Sequence, residues 1–212
     1  MEGCFGLLAR LKRRITMDVL DNRAQYLLLI FFLVVGITAG TFTISLMEPG
    51  EKSALTGYLD TLFAALRTQN INHFAVFIHA FLQDTLLFGA LTMFSLVMFG
   101  LLVIPLLMIV KGFFVGFAVG ALSVNLGAGG FAAIVFCEFI PNIVLIPCVC
   151  KAGVTGLNNC ITVIKNRKIP YTAKDRLLCS RPHISKMFLI YIFSLLGVII
   201  ETLLTPALIK LI

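Results

Sequence analysis

The chain has 212 residues, of which 59% are hydrophobic and 13% charged, with 17 Lys and Arg against 10 Asp and Glu and a formal net charge of +7. An ordinary soluble domain carries about a quarter charged residues. A mean hydropathy of +1.03 excludes a chain that covers its own surface in water, so the expected fold class is an all-α integral membrane protein.

Residues 1–25 form a basic segment. Leu7, Leu8 and Leu11 are mixed with Arg10, Lys12, Arg13 and Arg14, and Asp18 and Asp21 follow. This pattern lacks the uninterrupted apolar core and small-residue cleavage site of a secretory signal, and it reads as a short helix on the cytoplasmic surface. The remainder, 26–212, reads as one polytopic membrane domain. Its first span is 26–47, free of charge and long enough for a hydrocarbon core of about 30 Å. Leu55, Tyr58, Leu59, Leu62, Phe63 and Leu66 then recur at helical spacing around Asp60, which predicts an amphipathic helix. Phe74, Phe77, Ile78, Phe81 and Leu82 repeat the spacing around His79, Gln83 and Asp84, which predicts a second, interfacial helix.

The second expected span is 86–110, and Lys111 closes it. A shorter run, 112–126, ends at a glycine turn of Gly127, Gly129 and Gly130, and it also fits a re-entrant arm. The fourth span, 131–150, contains Glu138, Pro141, Asn142 and Pro147. Charge returns over 151–186, and the fifth span, 187–209, holds Glu201 and Pro206. Basic loops stay on the cytoplasmic side. Arg10, Lys12, Arg13, Arg14 and Arg23 precede the first span, and Lys151, Lys165, Arg167, Lys168, Lys174, Arg176, Arg181 and Lys186 lie in the later block. Five spans with a cytoplasmic N-terminus put both groups and Lys111 inside, and leave the two amphipathic helices between spans one and two outside.

Three sets of residues stand out. Gly112, Gly116 and Gly120 repeat every four residues, and Gly36 and Gly40 make a second small-residue pair. Such faces let helix backbones approach closely, either within the chain or against a partner's span. Glu138 and Glu201 are carboxylates inside spans, where burial is expensive. At 1.5 Å per residue both fall in the outer half of the bilayer, with Asn142 one turn from Glu138. They read as neutral, hydrogen-bonded acids or as part of a proton or solute path. Pro141 and Pro147 are expected to break the fourth helix locally.

The six cysteines avoid the expected external loop, so a structural disulfide is not expected. Cys148-x-Cys150 has no matching pair or nearby His, which gives no metal site. No Ser–His–acid set, phosphate loop or zinc motif is present, so no catalytic residue and no cofactor are expected. The basic block is explained by topology and anionic lipid rather than by nucleic acid.

The run Lys111-Gly-Phe-Phe-Val-Gly116-Phe-Ala-Val-Gly120, the Gly127–Gly130 turn and Pro141-Asn142-Ile-Val-Leu-Ile-Pro147 together resemble the stage II sporulation protein M family. Chain length, the short N-terminal segment and Glu201 with Pro206 in the last span extend the resemblance over nearly the whole chain. It implies a non-enzymatic scaffold in the septal membrane of the mother cell, working during engulfment with two peptidoglycan-remodelling partners, stage II sporulation proteins D and P. Leu55, Tyr58, Leu62 and Phe63 would be the external docking stripe, and a homo-oligomer is compatible with the glycine faces. The alternative is a transporter or permease subunit built around Glu138, Asn142 and Glu201.

Overall fold

The computed structural model describes residues 17–68, 73–126, 139–165 and 173–209. Among these the chain is helical throughout, with no strand. We number the helices α1 (Arg23–Leu46), α2 (Pro49–Thr68), α3 (His73–Ser95), α4 (Gly100–Leu126), α5 (Ile140–Lys165) and α6 (Ala173–Ile209). Five stretches are long and apolar enough to cross a bilayer: Arg23–Leu46, Phe77–Ser95, Gly100–Val124, Ile140–Lys165 and Pro182–Leu203. Large side chains such as Leu27, Phe31, Met93, Leu102, Phe188 and Leu203 face outward on them. That surface suits hydrocarbon and would be untenable in water.

The number of spans is as expected, but their boundaries differ. The expected span 86–110 does not exist as one helix. Its first part completes α3, and the chain turns at residues 96–99 before α4 begins. Leu96 N–H donates to Met93 O, Val97 to Phe94 O and Gly100 to Val97 O, which closes the turn without a charged residue. Gly100 is required there, since a Cβ would collide with the Phe94 carbonyl and the Cys160 thiol. Lys111 therefore lies inside α4 and not in a loop, and α4 runs through both expected segments without interruption. The interfacial helix expected around Asp84 is likewise part of the α3 span. Pro147 does not break α5. The helix continues through it, and Pro141 sits in the first turn, where no N–H partner is needed.

Half of α5's span is buried, against 28% or less for each of the others, so α5 is the central helix. It contacts α1, α3, α4 and α6. Val149, Ala152, Val154, Leu157 and Cys160 fill its inward faces and meet Leu29, Leu91, Ile104, Met108 and Met187 in one core. On one side α1 lies against α4 over most of its length. On the other, α3 and α6 pair with each other. Rise alone makes α6 about 55 Å long, more than a bilayer core needs. Its first quarter, before Pro182, therefore extends past the apolar layer.

The bundle has two chemically distinct ends. One carries the start of α1, the 96–99 turn, the end of α5 and the first quarter of α6. Among the described residues Arg23, Lys151, Lys165 and Lys186 are found there, and we call it the basic end. The opposite, acidic end carries α2 with Glu51 and Asp60.

Candidate functional site

Gly36, Gly40, Gly112 and Gly116 are brought together at the α1–α4 contact. A Cβ on Gly36 would run into the backbone of Ile109 and Phe113, and one on Gly40 into that of Phe113 and Phe117. Gly112 and Gly116 meet the backbone of Leu33 and Ile37 in return, while Gly120 faces Ile44 Cγ1 at 3.1 Å from its missing Cβ. Thr41 Oγ1 reaches across to Gly116 O at 3.2 Å. The two glycine faces occupy each other.

At mid-height the bundle holds a polar group that loop-based reading of charge missed. Asp84 of α3 stands eleven residues before Ser95, and Lys111 of α4 eleven residues after Gly100. Measured up from the turn that joins the two helices, each is about 16 Å into the apolar layer. Asp84 is only 5% exposed. Its Oδ2 accepts a hydrogen bond from Ser194 Oγ of α6 at 2.6 Å, while its Oδ1 is buried with no partner. Lys111 acts electrostatically on both Asp84 and Glu201, yet forms an ion pair within 4 Å with neither. Cys148 of α5 lies within electrostatic reach of Asp84. One turn along, Thr85 Oγ1 and Tyr191 OH share a hydrogen bond of 2.6 Å, which fixes α3 against α6 at this level. Glu201 is half-buried, and Asn142 is half-buried in the first turn of α5. Glu138, expected to meet Glu201, lies outside the described residues.

A second polar network ties the basic end. Asn158 of α5 accepts from Gln25 Nε2 and donates to Asn22 Oδ1, each at 2.8 Å. Asp18 accepts from Tyr26 OH at 3.0 Å and pairs with Lys151. Lys151 is thus inside α5 and bound to the N-terminal segment, whereas sequence placed it at the start of a loop. Nearby, buried His183 Nε2 shares a hydrogen bond with Ser95 Oγ at 2.7 Å, and Asn159 Nδ2 donates to Ser95 O at 3.0 Å. A cavity of about 490 Å³ opens here, with Asp18, Lys151, Asn158, His183 and Lys186 on its walls.

The stripe expected on α2 is described in part. Leu55 is half-buried, Tyr58 is 65% exposed, and the side chains of Leu62 and Phe63 lie outside the described set. α2 touches the bundle at α4 and α6. Cys148, Cys150 and Cys160 are free thiols along α5. Among the described residues no three His, Cys, Asp or Glu side chains converge as metal ligands would.

Asp84 and Lys111 had one signal in sequence. The apolar run from 86 to 126 is too long for one span, so a turn must fall within it. Gly100 marks that turn as well as Lys111 does, and choosing the glycine would have put both charges in the membrane.

Comparison with known proteins gives one family. The family model described as Stage II sporulation protein M (SpoIIM) matches residues 28–206, which takes in all five apolar helices save the start of the first. No curated protein and no solved structure matches.

Proposed function

The chain belongs to the stage II sporulation protein M family, a sporulation-related membrane protein, and from that premise we propose that it is a non-enzymatic scaffold for peptidoglycan-remodelling partners during engulfment. Its partners in this reading are stage II sporulation proteins D and P, and its place is the septal membrane of the mother cell. The basic end faces the cytoplasm by the positive-inside rule, and α2 stands on the opposite side, where the cell wall is.

The observation that carries this reading is Tyr58, an aromatic ring left 65% exposed on α2. Aromatic anchors of this kind dominate protein interfaces. The glycine faces are a poorer docking surface, because α1 and α4 already use them on each other. Leu55, Tyr58, Leu62 and Phe63 are therefore the surface we assign to the partners.

Co-purification from sporulating cells in mild detergent tests the assignment. Full-length chain tagged at its N-terminus should bring down stage II sporulation proteins D and P. Tyr58→Glu should lower their recovery roughly tenfold or more, the loss of about 1.4 kcal/mol or more at an anchor. Undiminished recovery with Tyr58→Glu and with Leu55→Glu would remove α2 as the docking helix.

A further inference from the structure

We propose that Asp84, Glu201 and Lys111 form a proton-binding site inside the bundle, a single unit that holds one exchangeable proton between its two carboxyls. This goes beyond the scaffold reading and does not depend on it.

The inference starts from charge. Two carboxyls and one ammonium sit within the apolar layer, Asp84 and Lys111 at one height and Glu201 two turns beyond Ser194 on α6, within electrostatic reach of both. With all three ionised the group carries one net negative charge, which the surrounding hydrocarbon disfavours strongly. Adding one proton to either carboxylate makes the group neutral, so that is the state the membrane selects. No other described ionisable side chain supplies a compensating charge. α5 contributes Cys148, α6 contributes Tyr191 beside Ser194, α2 carries Glu51, Lys52 and Asp60 but none of them acts on either acid, and α1 has no ionisable group between Tyr26 and Glu48.

Geometry adds the second observation. Asp84 is 95% shielded, and one of its oxygens is tied to Ser194 at 2.6 Å. The other, Oδ1, is buried without a partner. A buried acceptor left bare is unstable unless something fills it. Here Lys111 stands at the same height on the next helix, free of any ion pair within 4 Å among the described residues. When the proton resides on Glu201, Lys111 is left to serve Asp84. When it resides on Asp84, Lys111 serves Glu201. The Lys side chain is long and flexible enough for both. The Ser194 bond gives the site a mechanical link, since it joins α3 to α6.

Dicyclohexylcarbodiimide is the probe, because it is soluble in lipid and adds only to a protonated carboxyl. The acid O–H adds across one C=N bond, and the product rearranges to a stable N-acylurea that mass spectrometry maps to a residue. In the full-length protein in nanodiscs, one equivalent should be shared between Asp84 and Glu201, with labelling that fades as pH is raised. Charge counting then makes an unusual forecast for the isosteric variants. Asp84→Asn should lower labelling of Glu201 about tenfold, and Glu201→Gln should do the same to Asp84, since one acid beside one lysine is neutral without a proton. Lys111→Met should leave both carboxyls labelled. Acids that act separately would each label regardless of the other, and that result overturns the proposal. So does an absence of labelling in the unaltered protein at every pH, a measurement that needs no variant to fold. Loss of labelling on adding sodium, at a pH where the carboxyls otherwise label, would assign the site to a metal cation instead.

Discussion

Gly116 and Gly57 show how differently one residue type is used in this chain. Gly116 faces the backbone of Ile37, which cannot yield as a flexible side chain can, whereas nothing lies within 4 Å of a Cβ at Gly57. Gly116→Ala is therefore expected to destabilise the bundle by about 1–3 kcal/mol, the usual range for overpacking a tight contact. Gly57→Ala removes a flexible residue from an exposed stretch of α2 and should stabilise by about 0.5–1 kcal/mol. The chain has no tryptophan, so thermal unfolding in detergent would be followed by circular dichroism at the helix band. Equal shifts of the two variants would mean that α1 and α4 do not meet through Gly116. Gly153 falls between these cases. Its missing Cβ is 2.7 Å from Leu29 Cδ1, the mobile tip of a side chain, so Gly153→Ala should be milder than Gly116→Ala. The importance of the glycine repeats was legible in sequence. Which face each would meet was not, because that depends on how α1 and α4 cross.

At the scale of elements, the instructive case is the turn at 96–99. Leu96, Val97, Met98 and Phe99 are as apolar as the helices on either side, so no polarity marks the reversal. It closes through backbone hydrogen bonds and the fit of Gly100 against Cys160, and both are tertiary facts. Lys111, by contrast, looks like a loop residue only if every charge is assumed to seek water. Inside the bundle its charge is answered by Asp84 and Glu201, which arrive from helices far away in sequence. The number of spans survives the error, because moving a turn along one apolar run does not change it. The polar site does not survive it, since its members were assigned to opposite faces of the membrane. A pair of substitutions tests the turn. Met98 is 38% exposed at the basic end, so Met98→Lys should leave the amount of folded protein in membranes nearly unchanged, its ammonium snorkelling to water. Met108 is fully buried mid-helix, and Met108→Lys should lose roughly 3 kcal/mol or more and abolish accumulation. Immunoblotting of membrane fractions with gel filtration reads both. If Met98→Lys fails as Met108→Lys does, residue 98 is not in a turn at the bilayer surface.

The whole molecule is a bundle with α5 at its centre and unlike ends, and its orientation follows from where positive charge gathers. The basic end collects Arg23, Lys165, Lys186 and the first quarter of α6, and the network of Asp18, Asn22, Gln25, Lys151 and Asn158 holds the N-terminal segment to α5 there. Translocating that end would drag a cluster of Lys and Arg through hydrocarbon, which the positive-inside rule forbids. Three single cysteines, each placed in a chain whose six native cysteines are changed to alanine, report the arrangement. Gly50→Cys, at the start of α2 with open space around it, should react with a membrane-impermeant maleimide on intact cells. Met98→Cys should react only after the cells are permeabilised. Val110→Cys, 43% exposed but on the lipid face of α4 beside Lys111, should react in neither case, because a thiol in hydrocarbon does not ionise to the reactive thiolate. The third position decides between two ways of threading the same sequence. Were the chain to pass through the membrane from 86 to 110 and surface at Lys111, Val110→Cys would label from the cytoplasm and Met98→Cys would be silent. The helices place the reversal at 96–99, so the opposite pattern is expected, and with it a charged pair of helices, α3 and α4, whose Asp84 and Lys111 share one level inside the bilayer.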